Sequence, residues 1–427
     1  MLRFSSVVRR VGLALRVLVD PVVKPGRTLG ASEAHDEDGP TDIPASACPA
    51  DTVLTLDACP LCGERDRTLV SEFNRFVHFA RPPDEVSLHA DYQLCHGCGT
   101  VYAGRRPAGS RYKWLLDHFE ETLGRAGAGE KRGGKFAISS AALSDEDRAH
   151  LRRLAARGVF VSEHDRPSRK EYLPALLNDR LAASVHVEIL GSLLDLKHKH
   201  VLEVRSRLGS IPAALQRLYG ADVTVMTIFE GQRFLVQEVY GIPGSAIDFD
   251  RFQPPGPGPW DLIVCNHMLT HAVRPGDMLA TLRKHLAPGG HIYFYNEPDD
   301  AEILVDGKSM FNTLNAFHLQ TYDAPALVRA LKANGFEPVF QTHHEGNIIC
   351  LARAAGASEP ARMPATELES RRIAYLRARD AAILMLPPAA RSRVKQEWPT
   401  VIDRALKEGV AELSAGGEIR VRRNARP

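Results

Sequence analysis

The chain has almost no net charge, no long apolar run and no stripe of aromatic and basic residues, and each shortage removes a class of function. Its 54 basic and 52 acidic side chains leave a formal charge of +2. No global field therefore draws it to nucleic acid, and no interleaved aromatic-basic face reads as an RNA or DNA surface. Residues 11–19 are apolar but broken by Arg16, well short of the roughly 20 residues that a membrane helix needs. No small-residue cleavage site follows them, so a secretory signal is not expected. What remains is ordinary for a globular protein: 44% hydrophobic and 25% charged residues. A length of 427 residues exceeds one compact core and predicts two or three domains.

Local charge is less even. Residues 1–30 carry six Lys/Arg against Asp20 alone, and the next thirty carry seven acids with no Lys or Arg. The first stretch is either a frayed end or a basic amphipathic segment making weak membrane or protein contact. With the acidic, proline-containing linker behind it, residues 1–57 are expected to be disordered.

Seven cysteines are present. Cys48, Cys265 and Cys350 stand alone, while Cys59-Pro-Leu-Cys62-Gly63 and Cys95-His-Gly-Cys98-Gly99 form two C-x-x-C-G knuckles. A two-residue gap turns both sulfurs toward one ion, and the following glycine permits the turn that aims amides at the thiolates. Two knuckles supply a closed tetrahedral set of soft ligands, which suits structural zinc in a ribbon over residues 58–107. Residues 69–77 and 86–94 are its expected strands. His96 reads as a solvated loop residue. Free thiols beside a metal site point to an intracellular, cytoplasmic protein.

A helical connector is expected over 108–196. Within it, Gly129 to Phe136 nearly matches a phosphate-binding loop, but Phe136 replaces the magnesium-binding hydroxyl and the preceding segment reads as a helix, so a basic surface loop is expected. Residues 144–157 and 169–196 read as helices.

From Lys199 apolar runs alternate with helical segments. Strands are expected at 200–204, 222–228, 260–266 and 291–295. Helices are expected at 211–219, 229–240, 276–286 and 322–334, and residues 336–342 and 347–353 read as a closing antiparallel pair. This alternation predicts an α/β fold: a doubly wound, mostly parallel, Rossmann-like sheet that binds ligands beyond the carboxyl ends of its strands.

Val201-Leu-Glu-Val204, Trp260 to Asn266, Leu269-Thr-His271, Leu286-Ala-Pro-Gly-Gly290 and Leu331 to Phe336 occur in the order found in class I S-adenosylmethionine-dependent methyltransferases. In outline the region 170–355 resembles that family. With a zinc ribbon ahead of it, the chain resembles the bacterial C-methyltransferases of nucleotide-linked deoxysugars. The resemblance implies a seven-stranded sheet over residues 197–355, S-adenosylmethionine as cofactor and a small-molecule acceptor. It places Glu203, Arg205, Ser206 and Gly209 in the glycine loop, Thr227 where an acid usually binds the ribose, Asp248 and Phe249 beside the adenine, and Asn266 and Leu269 along the cofactor. Arg205 and Arg207 stand where the family has glycine, and Glu230 is a substitute acid for Thr227. The Tyr-His-Glu-His cluster of the sugar enzymes corresponds here to Asn315-Ala-Phe-His318, of which only the histidine remains.

Methyl transfer needs mainly an in-line approach and desolvation, with a base where the nucleophile must lose a proton. His271 and His318 are the candidate bases, since imidazole titrates near neutrality. For each, the competing reading is a structural histidine bonded to a nearby carbonyl. His343 and His344 read as solvated turn residues. The loop arginines either abolish cofactor binding, point outward, or recruit an anion at the following helix N-terminus. The expected activity is methyl transfer to a small molecule, with a non-catalytic binding or assembly module as the alternative. Residues 356–427 form a helical extension, with helices at 366–384 and 392–411 and an arginine-rich tail.

Overall fold

The computed structural model describes residues 53–74, 89–107, 172–206, 209–228, 241–249, 251–256, 258–304, 318–356, 362–385, 411–413 and 419–421, with scattered positions between 109 and 116 and between 232 and 240. The basic N-terminal segment, Cys48, the loop at 129–136, the helix at 144–157, Arg207, Glu230, residues 315–317 and most of the helix at 392–411 lie outside the described residues.

A ribbon comes first, built from β1 (Val53–Thr55), β2 (Arg67–Asn74), β3 (His89–Cys95), β4 (Val101–Ala103) and β5 (Arg105–Pro107). β2, β3 and β4 pair antiparallel, as do β1 and β5. Next come α1 (Tyr172–Leu193), β6 (His200–Val204), α2 (Ser210–Tyr219), β7 (Asp222–Thr227), β8 (Gly244–Ala246), β9 (Trp260–Asn266), α3 (Pro275–His285), β10 (Leu286–Pro298) and α4 (Asp300–Ile303). β11 (Gln320–Thr321), α5 (Ala324–Ala333), β12 (Phe336–His344) and β13 (Asn347–Ala354) end the α/β domain. α6 (Ala365–Met385) and the hairpin of β14 (Ala411–Leu413) and β15 (Ile419–Val421) follow, so Arg420 of the expected tail lies in a strand. Among the described residues no helix is long and apolar enough to cross a membrane.

The main sheet has seven strands in the order β12-β13-β10-β9-β6-β7-β8. β10, β9, β6, β7 and β8 run parallel, and β13 and β12 are antiparallel at one edge. Successive side chains leave opposite faces of a strand, and helices cover both faces of this sheet, which explains why the central strands are mostly apolar. Val201, Leu262 and Val264 pack under α1 and α2 with Val187, Leu190 and Leu215. Leu202, Ile263 and Cys265 face α3 and α5 with Leu279 and Leu327. In β10 the register shifts between Leu286 and His291, where the Pro-Gly-Gly turn sits.

The ribbon is fused to this second face. Cys59, Cys95, Cys98 and Tyr102 share one core with Met278, Leu327 and Leu331. Gly276 donates its N–H to Pro60 O at 3.0 Å, and a Cβ on Gly276 would lie 2.7 Å from that oxygen, so the close approach requires glycine. Arg329 Nε bonds Cys98 O at 2.9 Å, and Asn334 Nδ2 bonds Leu61 O at 2.5 Å. β11 joins the ribbon sheet by pairing with β4. A two-residue strand carries no readable period, which is why the sequence gives no sign of it.

On the other face His186 of α1 is 1% exposed, with Nδ1 3.0 Å from the Tyr293 hydroxyl. Burial, with His344 nearby, lowers its pKa to about 3. The unfolded chain takes up this proton below about pH 6.5 and the folded chain does not. Stability is therefore full above pH 6.5 and falls as the pH drops toward 3, by up to about 1.4 kcal/mol per pH unit from this group. Urea denaturation of wild type and His186→Leu between pH 7 and 5 checks this, and an equally steep decline in the variant would refute it.

Candidate active site and metal centre

Three non-glycine residues at the carboxyl ends of adjacent parallel strands adopt left-handed backbone: Arg205 (φ 62°) after β6, His267 (φ 48°) after β9 and Asn296 (φ 56°) near the end of β10. Each costs roughly 1–2 kcal/mol, so the surroundings must hold them there. They hold one another. Asn296 Nδ2 donates to Asn266 Oδ1 at 3.0 Å, Asn266 Nδ2 donates to Arg205 O at 3.3 Å, and Arg205 Nη1 donates to His267 O at 2.9 Å.

The remaining loop residues divide by role. Ser206 is buried and its N–H is used by Met226 O at 2.8 Å. Gly209 precedes α2 at φ 81°, and a Cβ there would meet Tyr240 at 2.9 Å and Val236 at 3.0 Å, so packing accounts for this glycine. Glu203 is buried and accepts a bond from Tyr295 Oη at 2.8 Å. Thr227 is buried at the end of β7. Asp248 Oδ1 accepts the Arg251 N–H at 3.0 Å. Phe249 lines a cleft of about 180 Å³ together with Phe252, Met268, Ala272 and Met278.

Leu269, expected along the cofactor, is fully buried in the core, and its N–H bonds Glu297 Oε1 at 2.9 Å. Glu297 is the site's least legible member. Its carboxyl also accepts from Thr270 Oγ1 at 2.8 Å and Tyr322 Oη at 2.5 Å, and burial raises its pKa. It pins the turn that follows β9. A Glu in an apolar strand is the one sequence signal that it has a partner.

That turn carries His267 and His271, and His318 comes to it from the segment before β11. The ring centroids lie 4.6 Å (267–271), 5.0 Å (267–318) and 5.0 Å (271–318) apart. His271 and His318, expected from sequence, are thus brought together, and His267 is the member that sequence reasoning missed. Tyr112, also unforeseen, bonds His271 Nδ1 at 2.8 Å and makes an edge contact with Phe249 at 5.0 Å, joining the histidines to the cleft.

The four knuckle cysteines converge as expected. Cys59 Sγ lies 3.7 Å from Cys98 Sγ, and Cys62 Sγ lies 3.5 Å from Cys95 Sγ. An ion with bonds of about 2.3 Å to four tetrahedral sulfurs spaces them by about 3.8 Å. His96, expected as a solvated loop residue, is half-buried and held by Thr68 Oγ1 at 2.7 Å, because a neighbouring strand offers it a partner. His343 is exposed as expected, but it lies in β12 and its Nε2 meets Asp299 Oδ2 at 2.5 Å.

The family model described as a methyltransferase domain matches residues 171–341. The match, together with the seven-stranded mixed sheet, gives these residues a methyltransferase-type fold. Similar solved structures include an S-adenosylmethionine-dependent methyltransferase from Mesorhizobium loti (14% identity, TM-score 0.33, over 38% of this chain and 94% of that one). Another is the magnesium protoporphyrin IX methyltransferase of Synechocystis with bound SAH (16%, 0.34, 56% and 98%). A third is the CcbJ methyltransferase of Streptomyces caelestis (15%, 0.33, 42% and 90%). No curated protein matches the sequence.

The methyltransferase domain can be tested for fit to its cofactor. Arg205 takes the positive φ that glycine would supply, so the loop keeps a glycine-type path while adding a guanidinium. The cleft beside Phe249 has room for a ring system between apolar side chains. The residues present fit such a cofactor in kind: apolar walls for a ring system, and a guanidinium beside the loop.

Proposed function

We propose that the protein transfers a methyl group from S-adenosylmethionine to a small-molecule acceptor, the class to which its resemblance to the sugar C-methyltransferases points. The carrying observation is the turn after β9. Met268 and Ala272 line the cleft, while His267 and His271 belong to the histidine cluster. Cofactor and acceptor groups then meet at the carboxyl ends of the parallel strands, where such sheets bind ligands.

The cofactor supplies a sulfonium-bound methyl for in-line displacement. Phe249 and Phe252 hold its purine and exclude water, and Arg205 pairs with its carboxylate. The histidine cluster deals with the acceptor's proton, and Glu297 and Tyr112 position the histidines. In the ribbon, Cys59, Cys62, Cys95 and Cys98 hold zinc as a closed structural site, which leaves no position for substrate. The ribbon helps form the acceptor side.

Calorimetric titration with S-adenosylmethionine tests this. Binding is expected, and Phe252→Ala should weaken it about tenfold, the roughly 1.4 kcal/mol of a partly lost aromatic contact. No heat at millimolar cofactor sinks the enzyme reading. It would favour a binding or assembly module, the reading that Arg205 supports by bridging the ends of β6 and β9.

A further inference from the structure

We propose that His267, His271 and His318 bind a divalent transition-metal ion, distinct from the four-cysteine site, with a coordination position left open to the acceptor.

The three histidines each offer a ring nitrogen, and these atoms lie within 4.8 Å of one another. The rings meet at 62–81°, edge toward face, so they do not stack. Three neutral imidazoles suit zinc, iron, nickel or copper. Three protein ligands with a fourth place open is the pattern of a working ion, in contrast to the closed four-sulfur set.

The surroundings supply what a metal-bound histidine needs. Its second nitrogen is ordinarily fixed by a hydrogen bond. His271 Nδ1 is engaged by the buried Tyr112 hydroxyl at 2.8 Å, so Nε2 is the nitrogen offered to an ion. The His318 segment is tied to the His271 turn through Leu319 N–H to Thr270 O at 2.9 Å. His267 is held in its left-handed conformation from both sides, its N–H on Tyr295 O at 2.8 Å and its carbonyl on Arg205 Nη1. Glu297 fixes the same turn through Leu269 N–H and Thr270 Oγ1.

The ligand class follows. An ion in this position takes an acceptor oxygen, a hydroxyl for instance, and favours its deprotonated form. The proton passes to solvent and the oxyanion stays on the metal. The imidazoles then act as ligands and not as bases. This last step rests on the methyl-transfer reading, whereas metal binding does not.

The test is titration of metal-free full-length protein with cobalt(II), with neither cofactor nor acceptor present. About two ions per chain are expected, one with thiolate-to-cobalt charge transfer and one with only weak visible bands. His318→Ala and His267→Ala should each abolish the second signal and keep the first, which also reports that the ribbon is folded. A single ion showing only thiolate charge transfer overturns the proposal, as does a second ion retained by both variants. If one variant fails to fold, the other and the wild-type stoichiometry decide. A protein that binds this second ion but ignores S-adenosylmethionine would refute the function and keep the metal site.

Discussion

Replacing Cys98 by serine is expected to release the zinc proposed for the ribbon and to destabilise the whole protein, far beyond the 0.5–3 kcal/mol of an ordinary substitution. Zinc binding in small metal domains is worth on the order of 10 kcal/mol, and much of it appears as folding free energy. The loss spreads because the knuckles are bonded to the methyltransferase domain: Pro60 O to Gly276, Leu61 O to Asn334, and Cys98 O to Arg329. Each oxygen belongs to a turn that the proposed zinc would close. Denaturation with and without a strong chelator, followed through both modules, should show the midpoint fall together for each. Equal midpoints for metal-loaded and metal-free protein would refute a structural ion.

Arg371→Ala should cost about 3–5 kcal/mol, the range for breaking a buried ion pair from one side. Arg371 of α6 is 7% exposed and reaches three elements. Nη2 meets Asp300 Oδ2 at 2.7 Å, Nη1 meets Asp323 Oδ2 at 2.6 Å, and Nε donates to Gly99 O at 2.9 Å. Tyr375 donates to Asp300 as well. Burial opposes the guanidinium charge, but Asp300, Tyr375 and Asp323 more than offset it and raise the Arg371 pKa. Asp323 would tolerate the loss, because it caps α5 through the Ala326 N–H at 2.8 Å and the helix dipole favours its charge. Asp300 keeps the hydroxyls of Tyr375 and Thr321, but it is fully buried, and burial raises its pKa to about 6. Asp300→Asn added to Arg371→Ala should therefore recover part of the loss, and Asp323→Asn should not. Lysine cannot replace the three-pronged contact. Equilibrium unfolding of the set measures the coupling, and additive losses at positions 300 and 371 would overturn it.

Local signals made much of this legible. The C-x-x-C-G knuckles and the apolar runs at 200–204 and 260–266 report the ribbon and the sheet because the relevant residues are neighbours in sequence. The contacts of the candidate site are not local. Tyr112 reaches His271 and Glu297 reaches Tyr322 across segments whose sequences say nothing of each other. Arg205 is the instructive case. In sequence it reads as a lost glycine, whereas in space it holds a glycine's backbone conformation and uses its side chain to tie β6 to β9. Substitution at a conformationally demanding position changed what the position does and left its path intact.

The pairing of β11 with β4 sets a timetable for biosynthesis. Arg106, beside β4, bonds Gln320 of β11, 214 residues further along the chain. A ribosome adding about 5–20 residues per second needs at least some ten seconds to deliver that strand. During that interval the ribbon can close its metal turn, but its sheet keeps an open edge beside β4, and such edges invite pairing with other chains. Newly made protein is thus most exposed to misassembly before residue 320 emerges.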